Sequence, residues 1–242
     1  MYSQYNQFAS YYDLYSNVYD YEEWYLYLLS LSHIQNPQGK RCLEIGCGSG
    51  GLLLEFMKNG FDVEGLDSSS QMLEYANEKL MKNKKNPTLY LCEAEKFHSK
   101  NKYDFIYSAN DVINYLEFLS LQKTFLNVSE MLNEGAIFTF DALNLEYFEE
   151  ENNAQSQDRI ILDNVEFCFE RQYRRGELYT DIQITDGQKV FNERHRQLLY
   201  PKEVIVQSGV QTGFVPLDTY AVFTREKPTE FSSKIQYVFA IK

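Results

Sequence analysis

Glu44, Gly46, Gly48, Gly51 and Asp67 stand close together in the chain, and their types and spacing suit one kind of chemistry: holding a nucleoside ligand against the backbone. Leu43-Glu44-Ile45-Gly46-Cys47-Gly48-Ser49-Gly50-Gly51 reads as a strand that turns sharply into a helix. Glycines let the chain turn tightly and approach a ligand, and the helix start offers unpaired N–H groups. The glycines satisfy G-x-G-x-x-G, so a dinucleotide is one candidate ligand. Asp67, 21 residues after Gly46, ends the next strand, where a carboxylate accepts both hydroxyls of a ribose. NAD and S-adenosylmethionine both carry that ribose. Glu44 separates them: a pyrophosphate gains nothing from a nearby anion, whereas a sulfonium ligand with an α-ammonium group is compatible with one.

The elements that position these residues alternate. Cys42 to Ile45 reads as a strand, Leu52 to Lys58 as a helix closed by Asn59-Gly60, and Asp62 to Asp67 as a second strand. Ser68 and Gln71 have capping-box spacing and open a helix to about Met81. Strands follow at Thr88 to Cys92, Tyr103 to Ser108 and Ala136 to Asp141, with a helix from Leu119 to Asn133 stopped by Gly135. This alternation predicts an α/β fold: a Rossmann-like, seven-stranded, mostly parallel sheet with helices on both faces. Before it, Tyr11, Tyr15 and Tyr19 share a helical face, followed by Trp24. After it, turn signals at Arg175-Gly176 and Asp186-Gly187 predict an antiparallel β insert. Pro201 opens a late helix ending near Gly213, and Leu217 to Thr224 and Lys234 to Ile241 close the sheet. The whole chain, 1–242, reads as a single domain: a helical lid at 1–35, a cofactor-binding core at 40–142, the insert at 143–200, and the last helix and strands at 201–242.

With these motifs in order, the chain resembles class I S-adenosylmethionine-dependent methyltransferases. LEIGCGSG and GLDSSSQMLEYA resemble the glycine motif and the acidic motif after it; YLCEAEKF, YDFIYSANDVINYL and LNEGAIFTFDALN resemble the motifs that follow, over about residues 40–145. FASYYDLYSNVYDYEEW and NERHRQLLYPKEVIVQSGVQTGF resemble the flanks of a small bacterial branch with N-terminal Tyr-Asp and acidic-Trp motifs. The resemblance implies S-adenosyl-L-methionine as cofactor, with Gly46, Cys47 and Gly48 at its methionine portion and Glu44 near its ammonium. It further implies Asp67 and Ser68 at the ribose, Met72 on the adenine face, and Glu93 and Ala94 at the adenine edge. Ser108 to Asp111 would floor the site near the sulfonium. Tyr12 and Trp24 are candidates to reach the ligand from the lid, since aromatic faces attract cations. Tyr12, Asp111, Asn114, Tyr115, His195 and Arg196 are candidates to contact the methyl acceptor. No catalytic base is assigned.

Composition narrows the acceptor. There are 23 basic and 35 acidic residues, a net charge of −12, which disfavours nucleic acid and anionic membranes as partners. A small molecule is the expected acceptor, with its N, O or C nucleophile open, and the chain is expected to act as a monomer or homodimer. Four scattered cysteines and three histidines predict no metal site and reduced thiols. With no apparent signal segment, the expected location is cytoplasmic. Two alternatives remain at this level: an NAD-dependent oxidoreductase using the same loop, and a non-catalytic cofactor-binding module.

Overall fold

A computed structural model describes residues 8–16, 18–150 and 154–241. The remaining parts of the expected lid (1–7 and 17), insert (151–153) and C-terminus (242) lie outside the described residues.

The core is a seven-stranded sheet. Its strands are β1 (Arg41–Ile45), β2 (Asp62–Asp67), β3 (Thr88–Leu91), β4 (Tyr103–Ser108), β5 (Leu132–Leu143), β10 (Phe214–Ala221) and β11 (Lys234–Ile241). Their order across the sheet is β10-β11-β5-β4-β1-β2-β3. All neighbours are parallel except β11, which runs antiparallel to β5 and β10. The central strands β1 and β4 are almost wholly buried, as expected for a sheet covered on both faces. One face carries α3 (Gly51–Lys58) and α2 (Tyr21–Ser32), whose Leu28, Leu31, Leu53 and Phe56 pack with Phe105 and Tyr107. The other carries α5 (Phe118–Met131) and α7 (Lys202–Gln211), with Phe125 and Ile205 against Phe138, Phe140 and Phe239. α4 (Ser70–Lys82) flanks β2 and β3.

Local chemistry sets the boundaries, and some differ from expectation. The Asp20 side chain caps α2 by accepting from Glu23 N at 2.9 Å. Ser69, not Ser68, caps α4, accepting from Met72 N at 3.3 Å; Ser68 is one residue too early to reach that amide. α5 ends at Met131, and Gly135 does not stop it. Gly135 lies inside β5 with φ 73°, next to a register shift between Tyr103 and Phe105, so it absorbs an irregularity in the strand. α1 (Ala9–Ser16) ends before Tyr19.

The insert is a four-stranded antiparallel sheet of β6 (Gln155–Leu162), β7 (Val165–Arg174), β8 (Glu177–Asp186) and β9 (Lys189–Leu198), after a short helix α6 (Leu145–Glu149). Arg175 and Gly176 form one two-residue turn with φ 51° and 83°, the left-handed pair that matches strand twist. In the next hairpin Asp186 still pairs with Lys189, so the turn is Gly187-Gln188, one residue later than expected. A third turn, Asp163-Asn164 with φ 46° and 67°, carries no glycine. Phe167, Phe169, Ile182 and Ile184 form the inner face of this sheet, and Phe8, Tyr11, Tyr12 and Tyr15 pack on it. The aromatic stripe of α1 is thus docked on the insert. No helix among the described residues is long and apolar enough to cross a membrane.

Candidate active site

β1 has β2 on one side and β4 on the other, so the chain reverses its winding direction at the carboxyl ends of β1 and β4. In open α/β sheets that crevice receives ligands. The turn after β1 is held there by its backbone: Gly46 N and Cys47 N both donate to Leu66 O, at 2.8 and 3.0 Å. Gly46 has φ 72°, and a Cβ placed on it would lie 2.5 Å from Val112 Cγ1. Only glycine fits both constraints. Gly48 has φ 52°, and the Tyr12 ring stands 3.9 Å from where its Cβ would be. Gly51 is roofed by Tyr21, whose ring leaves no room for a side chain.

Asp67 ties this turn to the next. Its two carboxylate oxygens accept from Gly48 N at 2.9 Å and Ser69 N at 2.8 Å. Burial raises its pKa, and the surrounding backbone amides only partly offset that. Cys92 N donates to Asp67 O at 3.0 Å, which brings Glu93 and Ala94 beside it. Glu93 is exposed and paired with Lys96 at 2.6 Å; Ala94 is half-buried; Met72 is buried on α4. Glu44 is 4 % exposed and accepts from Tyr107 Oη at 3.2 Å. Burial pushes its carboxyl well above the usual range, with Tyr107 pulling the other way. Cys47 is buried beside it.

At the end of β4, Ser108 Oγ donates to Ile45 O at 2.9 Å and locks β4 to β1. Asn110 and Asp111 both have positive φ, 62° and 51°. Asn and Asp tolerate this left-handed region better than other side chains do. Asp111 N donates to both Asp141 oxygens at 3.2 and 3.1 Å, and the Asp111 carboxylate accepts from Gln197 and Lys234. Lys234 also lies 3.2 Å from Asp141. Burial disfavours its charge, but the two carboxylates outweigh that and hold the ammonium protonated above the usual lysine range.

The sequence-derived candidates therefore separate by place. Glu44, Gly46, Cys47, Gly48, Asp67, Ser68, Met72, Glu93 and Ala94 flank the crevice from the β1 and β2 side; Ser108 and Asp111 flank it from β4. Tyr12 stands over it. Trp24 is buried, with its ring 4.5 Å from that of Phe223 and packed with Tyr27. Asn114 is fully buried: its amide donates to Leu198 O at 2.7 Å and accepts from Leu143 N at 2.9 Å, tying β9 to β5. Tyr115 Oη meets His195 Nδ1 at 3.0 Å. Arg196 projects from the opposite face of β9, where it pairs with Glu117 at 2.8 Å and with Glu177.

Several residues at the site were not singled out from sequence. Lys79 Nζ joins the lid to the turn, donating to Asp13 at 2.7 Å and to Ser49 Oγ at 3.0 Å. Asp141, Gln197 and Lys234 complete the Asp111 cluster, and Glu193 holds His195. Glu193 carried a signal: two residues before His195 on a strand, it shares its face. Asp141 carried another, as an acid at the carboxyl end of a core strand. Lys79 and Lys234 carried none, because their partners are remote in sequence.

This topology, with one reversed strand beyond β5, is the class I methyltransferase fold, whereas dinucleotide-binding sheets of order 3-2-1-4-5-6 are typically parallel throughout. Residues 42–135, which include the glycine turn, match the model of a family described as methyltransferase domain. A Geobacillus sp. (strain WCH70) protein bearing the name of a methyltransferase is 28% identical, with 97% of this chain and 98% of that protein aligned. The crystal structure of an S-adenosylmethionine-dependent methyltransferase from Clostridium acetobutylicum ATCC 824 is 25% identical, with TM-score 0.85 over 98% of both chains. CalS10, an amino pentose methyltransferase from Micromonospora echinaspora, has TM-score 0.79 at 14% identity over 100% of this chain and 99% of that one.

Proposed function

We propose that this chain transfers a methyl group from S-adenosylmethionine to a small amine. The observation that carries the donor assignment is the meeting of the Gly46–Gly51 turn with Asp67 at the switch point, with Glu44 buried behind it. The donor set fits the cofactor: a carboxylate for the ribose hydroxyls, an acid for the α-ammonium, close-approach glycines, and the buried apolar Met72 for the adenine face. When bound, the cofactor supplies an electrophilic methyl on a cationic sulfur. The protein's task is then alignment and exclusion of water. Asp67 and the turn fix the donor, Tyr12 covers it, and the β4 turn presents the acceptor.

The acceptor assignment rests on charge. Asp111, Asp141 and Glu193 stand on the acceptor side against one ammonium, Lys234. The whole molecule carries −12, which draws cationic substrates toward it. An amine fits that field; a carboxylic acid or a phosphate does not. The Micromonospora echinaspora neighbour acts on an amino pentose, and at its low identity it supports the fold alone.

Calorimetry tests the donor: S-adenosylmethionine and S-adenosylhomocysteine should bind with Kd in about the micromolar range. Binding of NAD in their place overturns the reading. A panel of small amines, phenols and carboxylic acids, assayed for S-adenosylhomocysteine formation, tests the acceptor. Turnover confined to phenols or acids removes the amine assignment.

A further inference from the structure

Tyr115, His195 and Glu193 make a partly buried chain of hydrogen bonds apart from the glycine turn and Asp67. This inference rests on the methyl-transfer reading above. Tyr115 Oη lies 3.0 Å from His195 Nδ1, and His195 Nε2 lies 2.7 Å from Glu193 Oε1. The other oxygen of Glu193 accepts from Phe8 N at 3.1 Å. The His195 and Glu193 side chains are only 4% and 10% exposed. A carboxylate can only accept, so Nε2 carries a hydrogen. A neutral imidazole then presents its lone pair at Nδ1, and the phenol O–H donates to it. With a neutral ring the direction is phenol to imidazole to carboxylate. The same order activates a hydroxyl wherever a nucleophile, a base and an orienting acid stand in line.

Its location is on the acceptor side. Tyr115 ends the 3-10 turn Val112–Tyr115, whose first residue packs against Gly46. The Phe8 ring lies 6.1 Å from that of His195 and 5.6 Å from that of Tyr12, and Tyr12 stands over Gly48. Among the described residues, the groups around the imidazole include Phe8 just before α1, Thr180 opposite it on β8, Tyr115 from the turn, and Glu193 and Gln197 from its own strand. Arg194 and Arg196 point to the other face, paired with Asp181 and with Glu117 and Glu177.

We propose that Tyr115 is the group that takes the proton of the methyl acceptor, with His195 and Glu193 as its positioning relay. The acceptor's N–H proton passes to Tyr115 Oη while the phenol proton passes to His195 Nδ1. The nitrogen lone pair forms the new N–C bond as the methyl–sulfur bond breaks, and that electron pair stays on sulfur. The imidazolium, paired with Glu193, returns its proton to solvent. No other reactant is needed. A cationic ammonium must lose a proton before it can attack, which is why an amine acceptor calls for such a group.

The test uses 15N-histidine-labelled protein saturated with S-adenosylhomocysteine. There are three histidines, and His33 and His98 are exposed, so the buried signal is separable. At neutral pH His195 should show a protonated Nε2 and a hydrogen-bond-accepting Nδ1. Tyr115→Phe should move the Nδ1 resonance alone. Glu193→Ala removes the acceptor at Nε2 and should move the Nε2 resonance and raise the share of the Nδ1–H tautomer. With an amine that reacts in the screen, Tyr115→Phe should lower kcat about 100-fold near pH 7. KM should stay within about twofold, and the loss should shrink as pH rises toward the pKa of the amine. An Nδ1–H tautomer in the wild type, a tautomer balance insensitive to Glu193→Ala, or a pH-independent Tyr115→Phe defect overturns the relay. Should no amine react, the tautomer and its response to Glu193→Ala decide. Failure of S-adenosylhomocysteine to bind the wild type sinks the methyl-transfer reading instead, and leaves the histidine spectrum as it was.

Discussion

Glu44 is a buried acid and Asp67 a half-buried one, and the structure gives them different burdens. Asp67 already uses its carboxylate to hold Gly48 N and Ser69 N. Asp67→Ala removes these bonds together with those to the ribose, and should weaken S-adenosylhomocysteine about 10- to 100-fold by calorimetry. Glu44 is held above its ordinary pKa by burial. A carboxyl raised in the folded state binds its proton more tightly there than in the unfolded chain. Stability from that proton is present at low pH and lost as pH rises through the raised value. Glu44→Gln should therefore raise the Tm of the ligand-free protein at pH 8 by about 2–4 °C, while the gain vanishes near pH 4 and cofactor affinity falls. A scan that shows no pH-dependent gain would refute this. Gly46→Ala forces a Cβ toward Val112 and should displace the turn that carries Asp111 and Tyr115, lowering kcat more than the Tm. The glycines and both acids were legible in sequence because they fall at fixed positions of one strand-turn-helix-strand unit. Lys79 and Lys234 were not, since nothing in a linear pattern pairs a lysine with an acid 66 or 123 residues away.

Among the elements, the core strands and most helices could be read from periodicity, and the misreadings have physical causes. Gly135 looked like a helix stop because glycine ends helices often; here its positive φ serves a strand. The Asp163-Asn164 turn was missed because its left-handed residues are not glycines. Trp24 is a candidate to reach the ligand because aromatic faces attract cations; on α2 it is buried and packs with Phe223 and Tyr27. The α1 helix is held to the core by Asp13–Lys79, a partly exposed pair of the kind that contributes about 0.2–1 kcal/mol. Asp13→Ala should accordingly speed hydrogen exchange in α1 by no more than about two- to fivefold, leaving β1 and β4 unchanged. A much larger effect would mean that the latch, not the aromatic face, holds the helix.

For the whole molecule, Lys234 joins three remote pieces: the start of β11, the end of β5 through Asp141, and the β4 turn through Asp111. Lys234→Met leaves two carboxylates facing each other and should cost about 2–3 kcal/mol, since removing one partner strands the others. That corresponds to about 5–10 °C in Tm for a chain of this size, readable by calorimetry; an unchanged Tm would show that the acids neutralise each other instead. The overall α/β architecture followed from alternating elements, but the companion of α1 did not, because nothing in the tyrosine stripe says which surface it meets. It meets the insert, through Phe8, Tyr11, Tyr12 and Tyr15 on Phe167, Phe169, Ile182 and Ile184. The two segments are remote in sequence and pack as one exchangeable cassette. A chimera that borrows residues 154–198 from a relative should inherit that relative's acceptor preference only when residues 8–16 travel with them; grafted alone, either piece would arrive without its mate.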